Sequence, residues 1–254
     1  MSKLYAAQAI IIKARDFGEA DKILTLYTRE YGKFQAIAKG VRKSTSRLRG
    51  GVQMFAHTRL LLYRGKSLDL VSQAENMESF GALREDLERL VYASYVMELL
   101  EHAVPEREPN ERIFLTTLMT LGLLQGEDPE LVCRMYEIKL LYLLGYHPHL
   151  TDCILCGKPL GNSSFYLSPE QGGLVCQSCA GSEKHDGLLA AGTVLAIQKL
   201  LTMDPRQLFR LKISPGQRRE MEKAIEHYLI YHLERAINAK KVMKDLLHSL
   251  KPKS

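Results

Sequence analysis

Apolar positions in the first 80 residues recur with a period of two. Ala7 to Lys13 is an apolar run built on Ile10, Ile11 and Ile12, and Asp16–Gly18 then turns the chain. Lys22 to Thr28 sets Ile23, Thr25 and Tyr27 against Leu24 and Leu26. After a turn at Tyr31–Gly32, Lys33 to Lys39 alternates Phe34, Ala36 and Ala38 with more polar neighbours. Thr58 to Tyr63 and Leu68 to Gln73 flank a further turn at Arg64–Gly65–Lys66. Period-two spacing sends successive side chains to opposite faces, so these runs read as short strands. About five strands with no room between them for long helices predict a small antiparallel barrel or sandwich, and the number suits an OB-type barrel.

From Leu83 the spacing lengthens to threes and fours. Leu83, Leu87, Leu90, Val91, Tyr95, Leu99 and Leu100 predict an amphipathic helix that ends before Pro105. Asn110 is placed to cap a second helix carrying Ile113, Phe114, Leu118 and Leu121. Asp128–Pro129–Glu130 combines a cap, a first-turn proline and an acid near the positive end of the helix dipole, and Gly145 closes that third helix. Residues 151–182 lose all periodicity and are dense in Gly, Pro and Ser. Helices resume at about Ala190 to Met203, then after Ser214–Pro215, with a last one expected over Ala239 to Leu250.

Composition bounds this reading. The 254 residues are 46% apolar, enough for a real core, and no run approaches the ~18 apolar residues of a membrane span. The apolar stretch near the N-terminus is short and is followed at once by Lys13 and Arg15, unlike a secretory leader, so a cytoplasmic protein is expected.

Charge changes the picture more. Residues 1–80 hold 14 Lys and Arg against 7 Asp and Glu, whereas the rest is nearly neutral. A basic first third is an electrostatic footprint for a polyanion, and no basic amphipathic helix there points to a membrane surface. The focus is Ala38 to Gly51, with Lys39, Arg42, Lys43, Arg47 and Arg49, no acid, the hydroxyls of Ser44, Thr45 and Ser46, and three glycines. It reads as a flexible cationic loop whose side chains suit phosphate oxygens. Arg15, Lys33, Arg64 and Lys66 are weaker candidates for the same task. Of the aromatics in this region (Tyr5, Phe17, Tyr27, Tyr31, Phe34, Phe55 and Tyr63), most are needed for the core, and one or two are available to stack on bases.

Five cysteines include two tight pairs, Cys153-x2-Cys156 and Cys176-x2-Cys179, with 19 residues between them. An odd count grouped in this way argues against a disulfide framework. Four thiolates at this spacing suit a tetrahedral zinc ion, with two redox pairs, an iron–sulfur cluster or a vestigial site as the alternatives. A four-cysteine shell leaves no position for a substrate water, so the role expected of the metal is structural. His147 and His149 lie close by but are not needed to complete the shell, and Cys133 reads as a core residue. No phosphate-binding P-loop, dinucleotide fingerprint or nucleophile elbow occurs, so no catalytic residue is nominated. The fold class expected is α+β and multidomain: an OB-fold barrel over residues 1–80, a helical domain over 81–150 and 183–254, and a zinc-ribbon-like insertion over 151–182.

The run DFGEADKILTLYTREYGKFQAIAKGVRK, with a helical body and a CxxC…CxxC insertion behind it, resembles the RecO family of bacterial recombination mediators. The resemblance covers nearly the whole chain and is most specific from Gly18 to Arg42. It implies an N-terminal DNA-binding OB domain, a helical domain and a zinc-binding segment. It further implies a non-enzymatic DNA-repair protein that binds single- and double-stranded DNA and anneals complementary strands. With RecR as partner, such a protein loads RecA onto strands coated by single-strand binding protein, whose C-terminal tail it contacts, and it works at the bacterial nucleoid. The competing readings are a zinc-containing adaptor, an RNA-binding factor without annealing activity, and a metal-dependent nuclease.

Overall fold

The computed structural model describes residues 3–161, 163–181 and 187–233. Five strands, β1 (Leu4–Phe17), β2 (Asp21–Thr28), β3 (Gly32–Ala38), β4 (His57–Tyr63) and β5 (Asp69–Glu78), close into a barrel in the order β1-β2-β3-β5-β4. All neighbours are antiparallel except β3 and β5. Closure depends on β1. Its first half, Leu4 to Ile10, pairs with β4, and its second half, Ala9 to Phe17, pairs with β2. A register shift between Ile11 and Lys13 bends the strand at the changeover, as bulges do.

Alternation builds the interior. Ala7, Ala9 and Ile11 of β1 meet Leu24 and Leu26 of β2, Phe34, Ala36 and Ala38 of β3, Leu60 and Leu62 of β4, and Val71 of β5. The outer face of β1 and β2 departs from a simple half-buried pattern, because Ile10, Ile12, Ile23 and Tyr27 are buried as well. Helices cover them: α1 (Ala82–Glu85), α2 (Leu87–Ala103) and α3 (Glu111–Leu124) follow the barrel. The Phe114 ring of α3 lies 6.3 Å from Tyr27 and 5.7 Å from His57, and the Tyr27 hydroxyl donates to the Asn110 carbonyl at 3.3 Å. The α2–α3 connection crosses the β2–β3 turn so closely that a Cβ on Gly32 would stand 2.4 Å from the Glu108 carbonyl oxygen. Gly32 also has φ +66°, so two constraints demand glycine there. Residue 80 therefore marks a change of secondary structure, while the compact packing unit continues to Gly126.

The second unit begins at Glu127. It contains α4 (Pro129–Leu143), a sheet of β6 (Phe165–Ser168), β7 (Gly173–Cys176) and β8 (Leu188–Leu189), α5 (Gln177–Ala180), α6 (Ala191–Thr202), a 3-10 helix at Pro205–Arg210, and α7 (Pro215–Leu233). The expected helix starts are present. Asn110 and Asp128 accept from the amides of Ile113 and Leu131, each at 3.1 Å. Ser214 and Gln217 exchange bonds in a capping box before α7. Arg218 of α7 clamps the start of α4 through Asp128 at 2.6 Å and Glu130 at 2.9 Å. Burial pushes the Asp128 carboxyl up, but the Arg218 guanidinium and the capping amides outweigh it and hold the carboxyl below its ordinary value. Gly145, at φ +96°, ends α4. The helix expected at 239–250 lies outside the described residues.

Candidate nucleic-acid interface and metal centre

The segment between β3 and β4 is a chain of tight turns. Lys43, Ser46 and Gly51 donate their amides back to the carbonyls of Gly40, Lys43 and Leu48. Val41 and Val52 drop into the barrel core with Leu48 packed against them. At the far end Phe55 is fully buried, and its amide donates to Ile11 while Ile11 donates to Ala56. The front is tied to the β1–β2 turn: Arg42 donates its amide to the Ala20 carbonyl, and Asp21 accepts from the Gly40 amide at 2.7 Å. The sequence predicts a flexible loop; the structure instead anchors it through Val41 and Leu48 among the cations and Val52 and Phe55 just after them.

This anchoring turns the charges outward. Lys39, Arg42, Lys43, Arg47 and Arg49 are all exposed. Arg42 is engaged, with its Nε 3.3 Å from Asp16 and its Nη1 donating to the Gly18 carbonyl. The other four meet no carboxylate among the described residues. A cleft of about 310 Å³ opens between Arg42 and Arg49, with Asp16, Lys22 and Gln53 on its walls. Arg15 is exposed near the end of β1.

The remaining nominated cations lie elsewhere. The Lys33 ammonium is half-buried and donates to the Glu101 carbonyl at 2.5 Å, so it is occupied in holding α2. Arg64 and Lys66 line a second cleft, of about 360 Å³, with Tyr31, Asp69 and Arg107. Buried Asp69 organises this cleft by accepting from the Tyr5 hydroxyl at 2.5 Å, from Arg107 at 3.1 Å and from the Gly65 amide at 3.1 Å. Burial pushes the Asp69 carboxyl up, but these donors outweigh it and hold it below its ordinary value. Arg107 stacks over the Phe34 ring at 4.1 Å and Arg64 over the Tyr5 ring at 5.3 Å. Arg107 escaped the sequence reading because it lies in the α2–α3 connection and reaches the cleft only through packing. Exposure sorts the aromatics. Tyr27, Phe34 and Phe55 are buried, Tyr5 and Tyr31 are half-buried against each other at 4.9 Å, and Phe17 and Tyr63 are 51% and 47% exposed.

In the second unit the four paired cysteines converge. Their sulfur atoms all lie within 4.8 Å of one another. Cys156 and Cys176 stand 3.7 Å apart, close to the ~3.8 Å edge of a tetrahedron with metal–sulfur bonds of about 2.3 Å. The first pair sits on a tight turn in which Gly157 donates to the Cys153 carbonyl; the second closes β7 and opens α5. Burial pushes the Cys153 thiol up, but the amides of Cys176, Cys156 and Leu155 outweigh it and bring it down to about 6. The Cys179 thiol donates to the sulfurs of Cys156 and Cys176 and is pushed up to about 12. One ready thiolate among crowded thiols is what a metal ion relieves, so the donor set fits a soft cation. Neither nearby histidine joins it. His147 stacks on Tyr142 at 4.0 Å, and His149 bonds Asp152 at 2.9 Å.

A closed five-stranded barrel with an outward cationic loop, and a second unit of helices bearing a four-thiol ribbon, define a two-part α+β protein. Comparison with known proteins narrows this. The family model described as Recombination protein O N terminal matches residues 1–80, and that described as Recombination protein O C terminal matches residues 84–241. The chain is similar to DNA repair protein RecO of Pelotomaculum thermopropionicum, with 45% identity over 93% of this chain and 92% of the relative. It is similar also to DNA repair protein RecO of Heliobacterium modesticaldum, with 40% identity over 98% of this chain and 92% of the relative. The chain belongs to the RecO family.

Proposed function

We propose that this protein is a DNA-repair and homologous-recombination mediator that works by binding DNA and not by covalent chemistry. The observation that carries the reading is the β3–β4 segment, where Lys39, Lys43, Arg47 and Arg49 face solvent without carboxylate partners among the described residues and Arg42 fixes the segment to the neighbouring turn. These side chains neutralise phosphates of single- and double-stranded DNA, with Arg15 of β1 as a further exposed cation and Arg64 and Lys66 as a second station. Lys33 contributes less, since its ammonium is already bonded. Cancelling backbone charge lets two complementary strands approach, which is the physical requirement for annealing. Family membership supports the wider assignment: action with RecR to load RecA onto strands coated by single-strand binding protein, contact with that protein's C-terminal tail, and work at the nucleoid. Cys153, Cys156, Cys176 and Cys179 hold a structural zinc ion, because four thiolates saturate a tetrahedral shell.

Fluorescence anisotropy of a labelled oligonucleotide across a salt series tests the reading. Each phosphate contact on a single strand contributes about −0.7 to the slope of log affinity against log salt. Replacing Arg42, Lys43, Arg47 and Arg49 with Ala is expected to weaken binding at low salt and to flatten the slope by up to about 3. An unchanged slope refutes the role of this segment.

A further inference from the structure

Two clefts on the barrel stand at opposite ends of β2. The first, between Arg42 and Arg49, takes Asp16 and Lys22 from beside the β1–β2 turn; the second, around Arg64 and Arg107, takes Glu30 and Tyr31 from the β2–β3 turn. From Lys22 to Thr28 the strand rises about 3.3 Å per residue, which separates the clefts by roughly 20 Å. Among the described residues no open positive track joins them. Lys13, Arg29 and Arg59, on or beside the intervening strands, each meet a carboxylate, of Glu101, Glu111 and Glu75 respectively. Lys33 donates to the Glu101 carbonyl, Ile23 and Tyr27 of β2 are buried, Gln35 of β3 is uncharged, and Glu78 of β5 is exposed. Exposed cations without a carboxylate partner gather instead at the two ends, Lys39, Lys43, Arg47 and Arg49 at one, Arg64 and Lys66 at the other.

The second cleft is a built site. Arg107 has φ +61°, a conformation unfavourable for a residue with a Cβ, and three contacts sustain it. Its amide donates to the Lys33 carbonyl at 2.9 Å, its Nη2 donates to Asp69 at 3.1 Å, and its guanidinium lies over the Phe34 ring. The side chain is nonetheless 48% exposed, so a pinned fork still lines the cleft with donors to spare. Arg64, Lys66 and Ser67 join it from the β4–β5 turn. Both carboxylates in the lining are committed, Asp69 to three donors and Glu30 to the Gln8 amide at 3.0 Å. Glu106 and Glu108 flank Arg107 in the chain without lining this cleft, and exposed Glu19 does not line the first. A planar fork, two further cations and a hydroxyl suit phosphate oxygens.

We infer that the Arg107 cleft is a second DNA-strand site, so that one barrel holds two strands at once, one at each end. The inference rests on the DNA-binding reading above and extends it from one strand to two. A single strand running through both clefts needs a positive path, and the paired cations and buried faces between them do not provide one. Two strands held on one body roughly 20 Å apart meet at an effective concentration on the order of millimolar. Their pairing then changes from a search through solution into a local event.

The test uses the full chain and thymidine oligonucleotides of about six nucleotides, near the lower limit of an OB-fold site, which cannot pair with one another. Sedimentation with strand and protein followed at separate wavelengths counts strands per chain at saturation. Two are expected for the unaltered protein. Arg64→Ala with Lys66→Ala should reduce the count to one, and the four-alanine change in the β3–β4 segment should do the same. Arg107→Lys leaves Asp69 a cationic partner but removes the fork and its stacking, so it should weaken the second strand several-fold. One strand on the unaltered chain, two on the Arg64→Ala, Lys66→Ala chain, or complete loss of binding from either change alone overturns the second site. So does a count of one together with binding of a poly-glutamate peptide that the Arg64→Ala, Lys66→Ala change abolishes, which makes the cleft a protein-docking site. Salt-dependent binding that the β3–β4 change weakens, alongside any of those results, leaves the charge-based reading standing. No binding of any oligonucleotide by the unaltered chain overturns both.

Discussion

The β3–β4 segment of the barrel and the cysteine segment of the second unit look alike in composition. Both are rich in glycine and polar residues, and neither forms a long helix or strand. They are ordered by different physics. The barrel segment hangs on buried Val41, Val52, Phe55 and Ala56, which share in a core made by five strands. The cysteine segment has a two-strand hairpin and a short bridge to β8, with Ile154 and Leu155 left exposed between its first pair of thiols. Its convergence point is the four sulfur atoms. Hydrophobic anchors order the barrel segment, and in the cysteine segment Phe165, Leu167, Leu174 and Val175 anchor the β6–β7 hairpin in the same way; the thiol-bearing turn that leaves Ile154 and Leu155 in solvent is where a cross-link through a metal ion would add order. The functional consequence follows. The barrel segment presents Lys39, Lys43, Arg47 and Arg49 to solvent, whereas the cysteine segment turns its most reactive side chains on one another.

The largest effect expected separates the two directly. Replacing Cys153 and Cys176 with Ser should reduce bound zinc from one equivalent to none, read by elemental analysis. Amides of β6 and β7 should then lose hydrogen-exchange protection while those of β1–β5 keep theirs. Metal retained at full stoichiometry would contradict the assigned shell. The reverse experiment, Phe55→Ala, removes the largest anchor of the barrel segment. It is expected to cost about 3–5 kcal/mol in denaturant unfolding of the barrel, with zinc content unchanged.

A smaller effect concerns pH. Asp69 is held below its ordinary value of 3.8, where burial opposes and the Tyr5, Gly65 and Arg107 donors prevail. A carboxylate with a depressed folded-state value contributes stability that is present above the unfolded value and lost as pH falls through the folded one. Barrel stability should therefore hold down to about pH 4 and decline below it. Asp69→Asn should remove that acid limb and lower neutral-pH stability by about 1–2 kcal/mol. The metal centre should fail at higher pH than the barrel, since protons compete with the metal for thiolates. Hydrogen exchange across a pH series, compared between β1–β5 and β6–β7, reads both.

Much of the fold was legible because its signals are local. Period-two runs marked all five barrel strands, and the caps at Asn110, Asp128 and Ser214 stood where helices begin. The 3-10 helix at Pro205–Arg210 was missed, since a six-residue segment carries too little periodicity to stand out. The sheet's extent was also underestimated. β1 runs on to Phe17 and β5 to Glu78, through polar residues whose pairing is set by the neighbouring strand and not by their own pattern.

Chain order and residue type alone determined the charge asymmetry, the two cysteine pairs and the family likeness, because each is a property of identity and spacing. Only the tertiary structure decided that both faces of β1 and β2 are buried, that the cationic segment is anchored, that Arg107 joins Arg64 and Lys66, and which aromatic ring is left in solvent. Those outcomes depend on residues tens of positions apart meeting across a closed barrel. Whether a given side chain is inside or outside is fixed by what packs over it, and no local pattern records that.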